Sequence, residues 1–402
     1  MKTKNLSLYL LLTVAIVAGG YIVYNAIAPK QTIISYTTTD GNVIDIHYTD
    51  ISDPSPISNT YSNGKGIMVF EGKLTYIWEE AFSCNETLKS IIIPEGVEYI
   101  GANALLNCPS LTDVTLPNSL TSLHSGAFMR CTSLNAITIP KSVTSITAPF
   151  IGCSALTRFE GELASPDGRC LIIDHKLAAF APGGLTKYKI PANLVHSIRG
   201  GAFYGCSSLK QIEIPLGITS IGAQAFAQCT ALEKITIPET VTSIESGAFS
   251  LCKSLTHIYL PQNLVTLGAG AFAGCVSLFT IAIPNKVKEI SSFTFSGCTS
   301  LLSVSLPRDL TTIGSYAFHN CPKMIMLTIP SKVESIDKHA LGFRSYIRSI
   351  RCKAKIPPKG GNQLFGEYYS NIIIQVPADS YEAYKTSPDW QQLSNRLQAA
   401  NL

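Results

Sequence analysis

One phrase of 23 residues recurs along most of this chain and constrains it more than any other feature. Leu232-Glu-Lys-Ile-Thr-Ile-Pro238 leads to Val241-Thr-Ser-Ile244, then Ala248-Phe249, then Cys252. Leu255-Thr-His-Ile-Tyr-Leu-Pro261 opens the next copy, which closes with Ala271-Phe272 and Cys275. Prolines at 215, 238, 261, 284, 307 and 330 and cysteines at 206, 229, 252, 275, 298 and 321 keep that spacing without a slip. A fixed period in the range of about 20–50 residues is the signature of a solenoid. Within one copy, Ile235 and Ile237 flank Thr236, so a short strand shows one apolar face, and Pro238, which has no N–H to give, stops it. Such a coil cannot enclose a core alone. Stacked coils can, with each strand pairing to its counterpart in the next.

The Leu-x-x-Ile-x-Ile-Pro, Ala-Phe and Cys positions together resemble the BspA-type leucine-rich repeats of bacterial and protozoan surface proteins, such as those of Bacteroides. The likeness spans roughly residues 66–350. It implies a β-rich solenoid with a parallel β ladder, and a role in which relatives act as adhesins for host matrix proteins. Ten strands end at prolines between Pro94 and Pro330, and one more is centred on Phe159. That predicts about eleven rungs spaced near 4.8 Å, roughly 50 Å of stack.

Four segments are expected. Residues 1–30 form a signal anchor or a signal peptide, 31–65 an N-terminal β cap or spacer, 66–350 the solenoid, and 351–402 a small α/β cap. Lys4 and Pro29 bracket 24 uncharged residues, which as a helix would span roughly 36 Å. Retention as an anchor and cleavage after Ala26-Ile-Ala28 both stay open. Lysines ahead of the segment put the rest of the chain outside the cytoplasm, in the periplasm or at the cell surface, or in the medium after cleavage. In the cap, Asp40-Gly41 between two apolar runs predicts a hairpin, and Ser62-Asn-Gly-Lys-Gly66 a turn. One coil departs from the rest: residues 160–184 replace its second half with a hairpin insert, through which the sheet is expected to continue. At the far end, Asp379 and Asp389 are read as N-caps of two short helices.

Ten of the twelve cysteines are repeat-phased, which reads as a small buried hydrophobe rather than a disulfide framework. Equivalent side chains point the same way, whereas a disulfide needs facing Cβ vectors. With no Cys-x-x-Cys and no His pair at ligand spacing, no metal and no cofactor is expected. Net charge is only +4, with no basic cluster along the sequence, which argues against nucleic acid. Asp167, Asp174 and His175 gather in the insert, where turn chemistry explains them better than catalysis. The chain reads as a non-enzyme.

What remains is binding. His257 and Tyr259 break the small and polar columns of the outward sheet face. The position after the leading Leu turns apolar along the rod, through Phe279, Leu302 and Ile325, with Met326 alongside. A contiguous exposed strip of this kind marks an interaction site. The alternative is that these residues tuck under the preceding turn and pack. The partner would be a protein or glycan met in surface adhesion or host interaction, or, in the other reading, a component of the same cell's envelope that this chain scaffolds.

Overall fold

The computed structural model describes residues 31–342, 348–360, 364–365 and 372–402. The apolar segment at 1–30 lies outside them. Among the described residues no helix is long and apolar enough to cross a membrane.

Each coil has three sides, and each side hydrogen-bonds to the next coil in its own way. The Ile-x-Ile stretch makes the first ladder, as where Gln211–Glu213 pairs in parallel with Lys234–Thr236. The Ser-Ile pair makes the second, as where Ser220–Ile221 pairs with Ser243–Ile244. On the third side alternate residues reach forward: Gly247, Phe249 and Leu251 donate their N–H groups to the carbonyls of Ala269, Ala271 and Ala273 at 2.7–2.8 Å. This side turns through left-handed backbone just before Ala-Phe and again just before Cys, at Gly247 (φ 64°) and Leu251 (φ 59°) in this coil. The three sides together leave few coil backbone groups unbonded, which is why a short period can be buried at all.

Inside, the phenylalanines form a stack. Phe226, Phe249, Phe272 and Phe295 lie with centroids 5.3–5.8 Å apart and planes within 6°. Behind them run the cysteines, all free. Their spacing has a cause that the sequence did not disclose. Cys252 Sγ lies 3.1 Å from the Phe226 carbonyl of the preceding coil, and Cys229, Cys275, Cys298 and Cys321 repeat the contact at the same distance. The thiol is thus a weak donor that ties coil to coil, as well as a small apolar filler. Cys84 is not part of this column. It takes the exposed left-handed position, and Asn85 takes the buried slot, donating through Nδ2 to the carbonyls of Phe82 and Asp45.

The stack is longer than the prolines suggested. Met326–Ile329 pairs with Ser349–Cys352, which pairs with Ile373–Pro377 and then Leu397–Ala400, giving about 14 turns in all. Hence the region after 350 continues the ladder rather than only closing it. The helix Tyr381–Thr386 follows Ser380, with no side-chain cap, while Asp379 pairs with Lys355 at 2.8 Å. The second expected helix is a 3₁₀ segment, Gln391–Arg396, that runs straight into the last strand, so Asp389 caps nothing there.

The N-terminal strands also differ from expectation. Thr32–Thr38 pairs antiparallel with Lys65–Phe70 on one side and with Leu88–Ile92 of the first coil on the other. The tight hairpin lies at Asn63-Gly64, both left-handed (φ 51° and 76°), joining Pro56–Ser62 to Lys65–Phe70. Asp40-Gly41 does turn the chain, but residues 43–48 form no strand. Their neighbours on the ladder are already taken.

At the insert the first ladder stops. Arg158–Glu160 has no pairing to Lys187–Lys189; instead Phe159 donates its N–H to the Gly168 carbonyl at 2.7 Å. The hairpin of Cys170–Ile173 and Lys176–Phe180 fills the gap and pairs in parallel with Ser197–Ile198. The expectation of an uninterrupted sheet therefore fails, and the reason is that both hairpin faces are apolar. Leu177 and Phe180 enter the C-terminal core, whereas Ala178, Ala179 and Ala181 enter the N-terminal one. The interior is two clusters that meet across one strand.

Candidate functional site

The outward face of the first ladder carries the residues singled out from the sequence. Tyr259 is 86% exposed, Ile325 54%, Phe279 45% and Met326 40%, and His257 is exposed as well. Leu302 is half-buried. The lip residues do not tuck away: the leading Leu of each coil, Leu278 and Leu301 among them, already fills the interior beneath, and the next residue must face out. His257 and Phe279 come together with ring centroids 6.5 Å apart.

These residues border an opening in the sheet. Lys234–Thr236 is the last strand of its segment and is not paired to 257–259. A groove of about 420 Å³ lies between them, with Glu233, Lys234 and Thr236 on one wall and Thr256, His257 and Tyr259 on the other. The coil recovers its pairing one rung later, where His257 bridges Thr280 and Phe279 donates its N–H to the Thr256 carbonyl at 3.0 Å. The groove thus joins backbone polar groups to an exposed phenol, an imidazole and charges of both signs.

In the insert, the acidic and histidine residues have separate tasks. Asp174 and His175 are the two left-handed residues of the hairpin turn (φ 50° and 55°); Asp174 pairs with Arg199 at 3.6 Å and His175 packs edge-on to His196. Asp167 sits elsewhere, accepting from Ser165 Oγ at 2.6 Å and Tyr188 Oη at 3.0 Å. Burial opposes its charge, but hydrogen bonds from Ser165, the Arg169 N–H and Tyr188 outweigh it and hold its pKa below the usual value. Cys170 lies 3.3 Å from Tyr188 Oη, and burial pushes its thiol up to about 12, the opposite of an activated nucleophile.

Known proteins share this architecture. The description of the BspA type leucine rich repeat region matches residues 61–162, 176–291 and 265–379, leaving out the first part of the insert. This chain belongs to the BspA-type leucine-rich repeat family. The matched residues contain the Ile-x-Ile stretches of the ladder and the Ala-Phe and Cys positions of the interior. A leucine rich cell surface protein from Faecalibacterium prausnitzii A2-165 is 35% identical over 57% of this chain, with a TM-score of 0.48. The match spans 63% of that protein, so the present chain covers under two thirds of its length. A leucine-rich repeat protein from Bacteroides ovatus ATCC 8483 is 21% identical, with 90% of this chain and 99% of the other covered and a TM-score of 0.51. The pneumococcal vaccine antigen PcpA is 22% identical over 82% of this chain and 70% of its own, with a TM-score of 0.47. No curated protein matches the sequence.

Two surface features of this BspA-type rod escaped the sequence. On the third side, Phe293 and Tyr316 stack at 5.0 Å and Tyr316 meets His339 at 5.2 Å, all at left-handed positions where the other coils carry no aromatic residue, for example Gly247, Gly270, Asn103 and Gln224. The period of 23 could have placed them in one column. The other feature is a further opening of the first ladder, between Ser303–Ser305 and Met326–Ile329, where Arg308 and Lys353 line a common groove; Asp113–Thr115 and Ala136–Thr138 are likewise unpaired with each other. Positions 308 and 353 occupy different columns of the repeat, so no sequence pattern links them.

Proposed function

We propose that this protein is a non-catalytic binding protein of the cell envelope, held by its N-terminal segment with the repeats outside the cytoplasm, and that it engages a protein or glycan partner through the sheet face of its C-terminal half. One observation carries the reading: Tyr259, Phe279, Ile325 and Met326 stay exposed on one side of the coils, where the other outward positions are mostly small or polar. Exposed apolar groups that are contiguous mark interaction surfaces, and aromatic residues in particular anchor them. The lysine-flanked apolar stretch at residues 1–30 supports export.

The test uses the full-length protein as bait against matrix proteins and glycans, alongside a variant with Tyr259→Ser, Phe279→Ser and Leu302→Ser. Partner capture should fall at least tenfold in the variant while its denaturation midpoint stays put. Equal capture by both proteins would remove the strip from the site. Protease shaving of intact cells then separates surface adhesion, in which the repeats are cut, from an envelope scaffold that is protected.

A further inference from the structure

The opening between Ser303–Ser305 and Met326–Ile329 has a chemistry different from the one at 257–259. At a regular junction two backbone bonds flank the paired residues. Leu302 donates its N–H to the Phe279 carbonyl and Ile283 donates to the Ser305 carbonyl, both at 2.9 Å. Between Ser303–Ser305 and Met326–Ile329 neither bond has a counterpart among the described residues. Backbone donors and acceptors of both strands therefore open onto a groove of about 460 Å³. Such groups demand partners, from water or from a ligand.

The polar side chains around the groove are hydroxyls, an amide and two cations: Ser305, Thr328, Ser331, Asn285, Arg308 and Lys353. No carboxylate lines it. Several other lysines already have carboxylate partners: Lys288 and Lys332 share Asp309, and Lys355 pairs with Asp379. Arg308 and Lys353 make no ion pair with any described residue, although both face the one concavity. A guanidinium offers a planar fork and an ammonium a point charge, and together they suit one carboxylate or sulfate group.

We propose that this groove binds an acidic saccharide. Its carboxylate or sulfate sits between Arg308 and Lys353, and its ring hydroxyls exchange hydrogen bonds with Asn285, Ser305, Thr328, Ser331 and the open strand edges. A neutral sugar would leave both cations without a partner. An acidic peptide would bring apolar side chains as well, and of the three apolar residues lining the groove Val304 and Pro330 are buried, which leaves the half-buried Leu306 alone to receive them. Hydroxyls all around a ring match hydroxyls, amide and backbone on both walls. The inference shares the sheet face with the proposed binding strip but uses none of its residues, so each can fail alone.

The test immobilises the full-length protein and titrates heparin oligosaccharide, which carries sulfate and carboxylate, hyaluronan oligosaccharide, which carries carboxylate only, and dextran sulfate, which carries sulfate only. Neutral dextran and poly-L-glutamate serve as comparisons. At least one acidic saccharide should bind more tightly than neutral dextran, and which one binds tells sulfate from carboxylate. Arg308→Gln with Lys353→Gln should weaken that binding at least tenfold and flatten its salt dependence. Lys253→Gln with Lys323→Gln, an equal change of charge outside the groove, should leave it unchanged, as should the serine variant of the strip. Should the groove variant lose its denaturation midpoint, Lys353→Gln alone is read, since this exposed side chain packs against nothing in the core. The proposal is overturned if no acidic saccharide outbinds neutral dextran, if the groove variant binds like the parent, or if the control variant loses as much. Equal, groove-dependent binding of poly-L-glutamate would overturn the saccharide assignment in favour of an acidic peptide.

Discussion

Replacing Phe249 by Ala tests the packing and the division of the core in one experiment. The ring is fully buried and lies between Phe226 at 5.3 Å and Phe272 at 5.5 Å, nearly parallel to both. Truncating a buried Phe costs about 3–5 kcal/mol through lost transfer energy and the cavity left behind. Two neighbouring rings would each lose one stacked face, worth roughly 0.5–1.5 kcal/mol per pair, which puts this site toward the upper end, about 4–5 kcal/mol. With a urea slope of about 2–3 kcal/mol/M, the midpoint should fall by roughly 1.3–2.5 M. Phe249→Leu keeps most of the apolar volume and should cost only about 1–2 kcal/mol. Thr236→Ala, on the outward face, should stay within about 0.5 kcal/mol. The two tryptophans report separately, because Trp78 is buried in the N-terminal cluster and Trp390 in the C-terminal one. In a Trp78→Phe background, fluorescence of Trp390 should follow the early transition; in a Trp390→Phe background, Trp78 should unfold near the parent midpoint. Equal midpoints for Phe249→Ala and Thr236→Ala would mean that the inward and outward strand positions are assigned the wrong way round. A shift of both tryptophan transitions together would show that the hairpin transmits the loss and that the two clusters are one cooperative unit.

Thiol reagents should modify Cys84 quickly in the native protein, since it is the exposed cysteine, and all twelve cysteines only after denaturation without reductant; fewer than half of them free would mean that the ladder is cross-linked. Alkaline pH should weaken the fold. Burial pushes the Cys108, Cys153 and Cys298 thiols up to about 12, whereas an unfolded thiol titrates near 8.5. Their contribution is intact below about 8.5 and is lost between there and about 12, because the unfolded chain releases these protons first, at roughly 1.4 kcal/mol per pH unit per thiol. Denaturation midpoints that stay flat from pH 8 to 10.5 would contradict this. Trp390→Ala should cost about 3–5 kcal/mol in the C-terminal unit, since the ring is fully buried and its Nε1 donates to the Pro358 carbonyl at 2.7 Å; a loss below 1 kcal/mol on thermal unfolding would show that the terminal coils contribute little.

Much of this protein was legible from its period alone. Once Ile235, Val241, Phe249 and Cys252 recur every 23 residues, stacking is the only way to bury them, and the identity of inward and outward columns comes from which residues recur. That same logic put Tyr259 and Met326 in outward columns, but for the lip residues Phe279 and Ile325 it left exposure and packing both open. What the period could not determine is where neighbouring coils fail to pair. The closing bonds at 2.9 Å join backbone groups of separate coils and leave no residue signature, so the openings at 257–259 and between the 303–305 and 326–329 strands emerged only in three dimensions. The thiol-to-carbonyl bonds were hidden for a similar reason: the carbonyl that receives Cys252 belongs to Phe226 of another coil. The insert read as a hairpin, yet its two faces serve different cores, and only tertiary packing decides which side chain enters which. Arg308 and Lys353 make the same point for function. Each is an ordinary cation in its own coil, and they become a pair only because stacking brings separate repeats to the walls of one groove.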